Sequence, residues 1–475
     1  VAVETSAEEE AIMGREGSFP SADTTQRFVA RTGLAAELAA LEEAGGAIRI
    51  GLVGVGEMGT DIVTQVALMK GLRITVIAVR DPAKRHAEHA HVIAGLDPDR
   101  VRVVESRPAI ARAVEAGYTA VTTDVEALYT SDHVDVVIDA TGKPEMGAII
   151  ALGAIDAGKH VVMMNVEADV TIGAWLQNRA REAGVVYTVG AGDEPSSTME
   201  LIEFVTALGY PVIAAGKGKN NPLDITATPD QYVEEATRRN MNPRMLVEFI
   251  DGSKTMVEMA NIANATGLVP DVAGMHGPEA TLENLHQILC PKEDGGILSR
   301  KGVVDYTIGK GVAPGVFVVA EMSHPRLRER MNDLKLGPGP YYTFYRPYHL
   351  TSLEVPLSAA RAVLHGRVDM RALAKPSAEV SALAKRDLAP GEKLDAIGEW
   401  CYRAFTLEYE AARAAGAMPI GLIEGGTVVK PIKRGELLTR ANVAPPVGSK
   451  IVELRRLQDE MVHGPAVVAP GEAAA

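Results

Sequence analysis

The stretch Ile48–Thr60, "IRIGLVGVGEMGT", decides the fold. Its first half is an apolar run of strand length. Its second half places Gly54, Gly56 and Gly59 in the spacing G-x-G-x-x-G. That spacing alone is a weak signal. Here a helix-like run follows, "EMGTDIVTQVALMKG", and a second strand-like run, "LRITVIAVRD", ends about twenty residues further on, the context of a dinucleotide-binding βαβ unit. Gly54 permits the tight turn, and Gly56 lets the backbone approach a pyrophosphate. Gly59 lets helix and strand pack closely, with the helix N-terminus facing the anion. Glu57 and Met58 complete the same turn as candidate cofactor contacts.

Working outward, strands and helices alternate. "VDVVIDATG", "HVVMMN" and "VVYTVG" read as strands; "EMGAIIALGAIDAGK" and "TIGAWLQNRAREAG" read as helices. Continuous Val/Ile strands between amphipathic helices imply an α/β fold, a doubly wound parallel sheet of Rossmann type covered on both faces. Beyond Gly190 the alternation loosens into Gly- and Asn-rich sequence. After Ala374, "AKRDLAPGEKLDAIG" and "PIKRGELLTRANVA" each carry a Gly-Glu turn behind a basic residue, which predicts a small β-rich unit. The expected organisation is an N-terminal extension and helix over 1–46, with the helix spanning 24–46. A nucleotide-binding domain follows over 47–190, a catalytic and dimerising α/β domain over 191–375, the β-rich domain over 376–455 and a tail over 456–475.

Composition narrows the function. The chain has 475 residues, 47% of them hydrophobic, and a net charge of −14, which argues against nucleic acid or an anionic membrane as partner. Aromatic residues make up only 4%, which weakens any reading built on stacking against sugars or bases. No apolar run reaches the ~18–20 residues of a membrane helix. The first twenty residues are acidic and lack the apolar centre of a signal peptide; a disordered extension is expected there. Two distant cysteines, Cys290 and Cys401, suggest neither a disulfide framework nor a zinc site, so a reducing cytoplasm is the expected location. The expected partner is a small molecule.

The second strand ends in "VRDP". An acid held against the ribose 2′-hydroxyl marks NAD, whereas Arg80 comes first here and an Arg can pair with a 2′-phosphate. NADP is therefore expected. Asp139, Ala140, Thr141 and Gly142 follow a later strand, where small residues let a nicotinamide ribose sit close. Asn165 and Glu167, in the polar stretch "MMNVEAD", can reach the nicotinamide side.

The chemistry-bearing segment is "AGDEPSS", Ala191–Ser197. Ser197 and Glu200 match a capping box before an apolar run. Asp193 and Glu194 would then lie at a helix N-terminus and at a strand tip. Two adjacent acids there suit a divalent cation or proton transfer. In "GKGKNNPLD", Lys217 and Lys219 share one face of a strand beside Asn220 and Asn221, a set suited to a phosphate or a developing oxyanion. Lys254, Glu258 and Asn261 share a helix face. His276, Lys310, Arg346 and His349 are further candidate substrate contacts. No G-x-S-x-G, H-E-x-x-H or P-loop occurs.

Several motifs, "GAGDEPSS", "GKGKNNPL", "DGSKTMVEMANIANATGLVPD", "GVVDYTIGKG" and "RPYHLTSLEVP", resemble the 1-deoxy-D-xylulose 5-phosphate reductoisomerase-like enzymes. The first domain also resembles homoserine dehydrogenases, and "AKRDLAPGEKL" with "PIKRGELLTRANV" resembles the SAF domain, a small β-clip module. The resemblance implies an NADPH-dependent, Mg- or Mn-assisted conversion of 1-deoxy-D-xylulose 5-phosphate to 2-C-methyl-D-erythritol 4-phosphate, a step toward isoprenoid precursors, in a homodimer or homotetramer. It implies Asp193 and Glu194 as metal ligands, with Glu194 also catalytic. Lys217, Lys219 and Asn220 would act on an enediolate, and Ser196, Ser197 and Lys254 on the phosphate. Two other classes remain open: a dehydrogenase of homoserine or another sugar phosphate or sugar acid, and a non-catalytic NADP-binding regulator.

Overall fold

The computed structural model describes residues 32–464. The expected acidic extension and the last residues of the tail lie outside them. A helix, α1 (Gly33–Glu43), precedes the glycine fingerprint and buries Leu38. Then β1 (Ile48–Val53), α2 (Glu57–Leu68), β2 (Leu72–Ala78), β3 (Val101–Val103), β4 (Thr119–Thr122) and β5 (Val136–Asp139) alternate with helices. They lead to α3 (Pro144–Asp156), β6 (His160–Met163), α4 (Val166–Ala183) and β7 (Tyr187–Val189). The seven strands form one sheet in the order β3-β4-β2-β1-β5-β6-β7, with every pairing parallel. The strand order reverses at β1, so the crevice between β1 and β5 is the ligand edge of a doubly wound sheet. β4 and β5 are buried along their whole length, which is why they carry uninterrupted apolar sequence apart from their end residues.

The chain continues into α5 (Glu194–Ala207), β8 (Val212–Gly218), α6 (Pro243–Ile250), α7 (Ser253–Thr266), β9 (Val269–Pro270), β10 (Val303–Thr307), β11 (Val316–Glu321) and β12 (Tyr341–Arg346). These strands make a mixed sheet in the order β12-β11-β8-β10-β9. The next helix, α8 (Val355–His365), returns to pack on the first sheet through Val355, Ala359 and Ala360. Beyond it, β13 (Ala378–Ala384) pairs with β14 (Tyr402–Glu408), and β15 (Thr427–Val428) with β16 (Val443–Ala444). The two Gly-Glu turns are built alike: Glu392 accepts from the Ala389 amide at 2.7 Å, and Glu436 from the Lys433 amide at 2.7 Å. Gly391 and Gly435 supply the positive φ that each turn needs. Between them Leu388 and Ile432 exchange backbone hydrogen bonds.

Three sequence expectations change. The tail expected from residue 456 is instead helical through His463, in α9 (Lys450–His463), with Leu454, Arg455 and Gln458 buried. The helix expected from Thr171 starts at Val166, because Asn165 caps it by accepting from the Ala168 amide at 3.2 Å. The capping box at Ser197 does not form. Helix α5 starts at Glu194 with Asp193 at its N-cap position and Pro195 in its first turn, where a proline costs nothing.

Asp169, buried in α4, accepts from the Tyr187 hydroxyl at 2.8 Å. Burial pushes its carboxyl up to about 6. A folded-state value above the unfolded one gives stability that is full below about pH 4 and lost as pH rises through about 6, here roughly 3 kcal/mol. Asp169→Asn removes that loss. Thermal melts should place the variant above wild type at pH 8, with the gap closing by pH 4.

Candidate active site

Where the two sheets meet, a cleft of about 380 Å³ runs from the glycine turn to the carboxylates of α5 and α7. Its cofactor end is made by Gly56, Glu57, Met58, Ala140, Thr141 and Gly142. The three glycines divide the work as their geometry demands. Gly54 has φ +92°, and a Cβ there would lie 2.9 Å from the Ala140 carbonyl oxygen. A Cβ on Gly59 would lie 2.2 Å from the Gly54 carbonyl oxygen. A Cβ on Gly56 would meet nothing among the described residues within 4 Å, so its absence serves the approach of a ligand at the N-terminus of α2. Asp139 lies beneath this surface, fully buried, and accepts from the Thr141 amide at 2.9 Å. Burial pushes its carboxyl up to about 6. Asn165 is also fully buried; besides its cap it donates to the Lys143 carbonyl at 2.8 Å, and it does not line the cleft. Arg80 is exposed just past the end of β2, while Asp81 caps the next turn.

The chemical end is a cluster of ionic groups. Asp193, Glu194 and Glu258 bring carboxylate oxygens within 4.8 Å of one another. The Lys217 ammonium, at the end of β8, contacts both Glu194, at 2.8 Å, and Glu258. His349 Nε2 is 3.4 Å from Glu194 Oε1, and its Nδ1 is 2.8 Å from the Pro314 carbonyl oxygen. Lys254 donates to Glu167 at 3.2 Å. Burial opposes the charge on Glu194, but Lys217 and His349 outweigh it and hold the carboxyl below its ordinary range. Burial and then the charge of Glu194 push Glu258 well up. Burial, with Glu194 next, raises Asp193 to about 7. Both lysines stay charged: burial works against them, and the surrounding carboxylates prevail. Asn261 is tied to α4 instead, donating to the Val166 carbonyl at 3.1 Å.

Not every sequence candidate reaches this place. Lys217 is absent from the cleft wall and acts on it through Glu194 and Glu258. Lys219 donates to the carbonyls of Asn221, Pro222 and Phe249 at 2.6, 2.9 and 2.8 Å, and burial lowers it to about 8. It holds a loop together. Asn220 is exposed, and Asn221 accepts from Arg239 at 2.9 Å. Ser197 accepts from Arg346 at 3.1 Å, and Arg346 also binds Glu200 and Glu354 at 2.9 and 2.6 Å; Ser196 is buried beside it. None of Lys219, Asn220, Asn221, Ser196, Ser197 and Arg346 lines the cleft. His276 is paired with Asp271 at 2.8 Å in another loop, and Lys310 is exposed in a turn. The cleft adds residues the sequence did not single out: Arg244 and Glu248 on α6, and Ile397, Tyr402, Ile420 and Glu424 from the C-terminal region. Arg244 and Glu248 are one helical turn apart, a spacing that in sequence reads as a solvated pair. Burial and then Glu167 raise Glu248 to about 7.

Residues 54–189 match the family described as homoserine dehydrogenase, NAD binding domain, and residues 192–355 match oxidoreductase DRL, catalytic domain. The chain is thus a Rossmann oxidoreductase that uses NAD(P). More particularly, it joins a homoserine-dehydrogenase-like NAD-binding domain to a DRL catalytic domain. No curated protein matches the chain. Among solved structures, it is similar to a hyperthermophilic archaeal homoserine dehydrogenase in complex with NADPH, at 14% identity over 67% of this chain and 98% of that one, with a TM-score of 0.38. It is also similar to a homoserine dehydrogenase from Thiobacillus denitrificans, at 17% identity over 82% and 98%, with a TM-score of 0.38. Among the described residues, no helix is long and apolar enough to cross a membrane.

Gly56→Ala should keep the melting temperature within about 3 °C and weaken NADPH binding at least about tenfold, because its methyl meets only the ligand. Gly59→Ala should lower the melting temperature sharply, because its methyl meets backbone. Calorimetric NADPH titration beside thermal melts separates the two.

Proposed function

We propose that the chain is an NADPH-dependent reductoisomerase that rearranges 1-deoxy-D-xylulose 5-phosphate and reduces the product to 2-C-methyl-D-erythritol 4-phosphate. The observation that carries this reading is the convergence of Asp193, Glu194 and Glu258 in the same cleft as the glycine turn. An all-oxygen donor set suits Mg²⁺ or Mn²⁺, and these three carboxylates would hold it. Such an ion, when bound, polarises a hydroxy-carbonyl group. NADPH, when bound, supplies the hydride. Arg80, exposed at the tip of β2, suits the extra phosphate of NADP.

The chain's own groups have separable tasks. Lys254 is the ammonium on the cleft wall, and it stabilises an oxyanion as charge develops on the substrate. Asp193 would ligate the metal ion together with Glu194 and Glu258, and the ion's charge would keep the Asp193 carboxyl ionised. Lys217 keeps Glu194 ionised from outside the cleft. Arg244 is the remaining permanent cation of the wall and fits the substrate phosphate. Met163, Met164 and Val355 make an apolar side that keeps water from the reacting atoms.

One observation favours a second reading. Among the described residues, seven carboxyl groups line the cleft, Glu57, Glu167, Asp193, Glu194, Glu248, Glu258 and Glu424, against Arg244 and Lys254. That excess also suits the ammonium of a hydroxy amino acid such as homoserine.

NADPH oxidation with 1-deoxy-D-xylulose 5-phosphate and Mn²⁺ tests the first reading, with product connectivity followed by NMR. The expected result is a branched polyol phosphate. Turnover should stop with EDTA and return with added Mn²⁺. Asp193→Asn should lower kcat at least about 100-fold while the protein still binds NADPH. NADP⁺ reduction by homoserine, with none of the sugar phosphate consumed, would replace this reading with the second.

A further inference from the structure

Neither family match reaches beyond residue 355, but the cleft continues. Ile397, Tyr402, Ile420 and Glu424 close one side of it. The region that carries them is fastened to both sheets. Glu145, in the first turn of α3, accepts from Ser449 Oγ, the Lys450 amide and the Ile451 amide at 2.5, 2.7 and 3.0 Å. Lys143, at the start of the same helix, pairs with Glu424 at 2.6 Å. Lys385 pairs with Asp251 at 2.6 Å in full burial. The Ala404 amide donates to Ser253 Oγ at 2.9 Å, which ties β14 to the first turn of α7, one residue before Lys254. These contacts make the region a fixed wall.

Tyr402 stands at the start of β14, two residues before Ala404, with no exposed surface. Its hydroxyl has no hydrogen-bond partner among the described residues. A buried hydroxyl left unpaired is destabilising. Phenylalanine would fill the same space without that cost, so packing alone gives the oxygen no role. We infer that the C-terminal β-rich region is the third wall of the active site and that Tyr402 donates a hydrogen bond to an oxygen of the bound substrate. Burial holds the phenol well above its ordinary range, so it keeps its proton and can act as a donor. The inference rests on the cleft being the substrate site and not on which substrate enters it.

The test is Tyr402→Phe in the full chain. Without ligand, the melting temperature should equal or exceed that of wild type, because an unpaired polar atom has been removed. With NADPH present, calorimetric titrations with 1-deoxy-D-xylulose 5-phosphate and with homoserine should show about tenfold weaker binding of whichever ligand the wild type takes. Where turnover accompanies binding, the loss should fall mainly on KM. A melting temperature several degrees lower overturns the inference, since the hydroxyl then serves the fold. Unchanged affinity overturns it as well. Wild-type binding of homoserine and not of the sugar phosphate overturns the reaction proposed above and leaves Tyr402 to be decided on homoserine.

Discussion

The ammonium of Lys217, buried between Glu194 and Glu258, is the contact on which the catalytic half of the molecule depends. It joins the end of β8 to the first turn of α5 and the middle of α7. Buried ions are costly to desolvate, and such a pair is retained only with good geometry and shared partners. Here one cation serves two carboxylates. The result is unequal: Glu194 is held ionised, while Glu258 and Asp193 are pushed toward their neutral forms. Burial and the charge of Glu194 raise two of the carboxyls while the lysine outside the cleft helps hold the third ionised, the condition that lets adjacent acids take different roles.

The cofactor half was legible because its constraints are local. Gly54, Gly56 and Gly59 are each required within one turn, and β1, β5 and β6 write their burial on both faces as largely apolar sequence. Helix starts were less legible. Asn165 and Asp193 occupy the N-cap positions, yet each is followed by a polar stretch that also reads as loop, and the Ser197–Glu200 spacing offered a false cap. What settles the second case is Pro195, which fits a first turn and would be harder to place in a loop leading to a later start.

The site was only partly legible, because residue type does not reveal what a side chain will find. Lys217 and Lys219 look equivalent in "GKGK". One meets two carboxylates and the other three carbonyl oxygens, since the neighbouring helices α7 and α6 present different groups to them. Arg346 and Ser197 lie far apart in sequence, and each had read as a substrate contact. They satisfy each other, with Glu200 and Glu354. Tyr402 and Glu424 carried no local signal, because their position follows from contacts made by Glu145, Asp251 and Ser253 in other parts of the chain.

The placement of charge explains why the C-terminal region is so firmly attached. Glu167, Glu248 and Glu424 face the same space as the three clustered carboxylates, with Lys254 against Glu167 and Arg244 against Glu248. Like charges confined in one cleft repel, and the repulsion would spread the walls unless something else held them. Lys143 neutralises Glu424 at the rim, while the buried Lys385–Asp251 pair and the Glu145 cap lie outside the repelling set. A bound cation, whether a metal ion or an ammonium group, would relieve the same repulsion from inside. The acidic excess therefore favours ligands that bring positive charge with them, and an anionic substrate would enter most readily beside a cation that the carboxylates already hold.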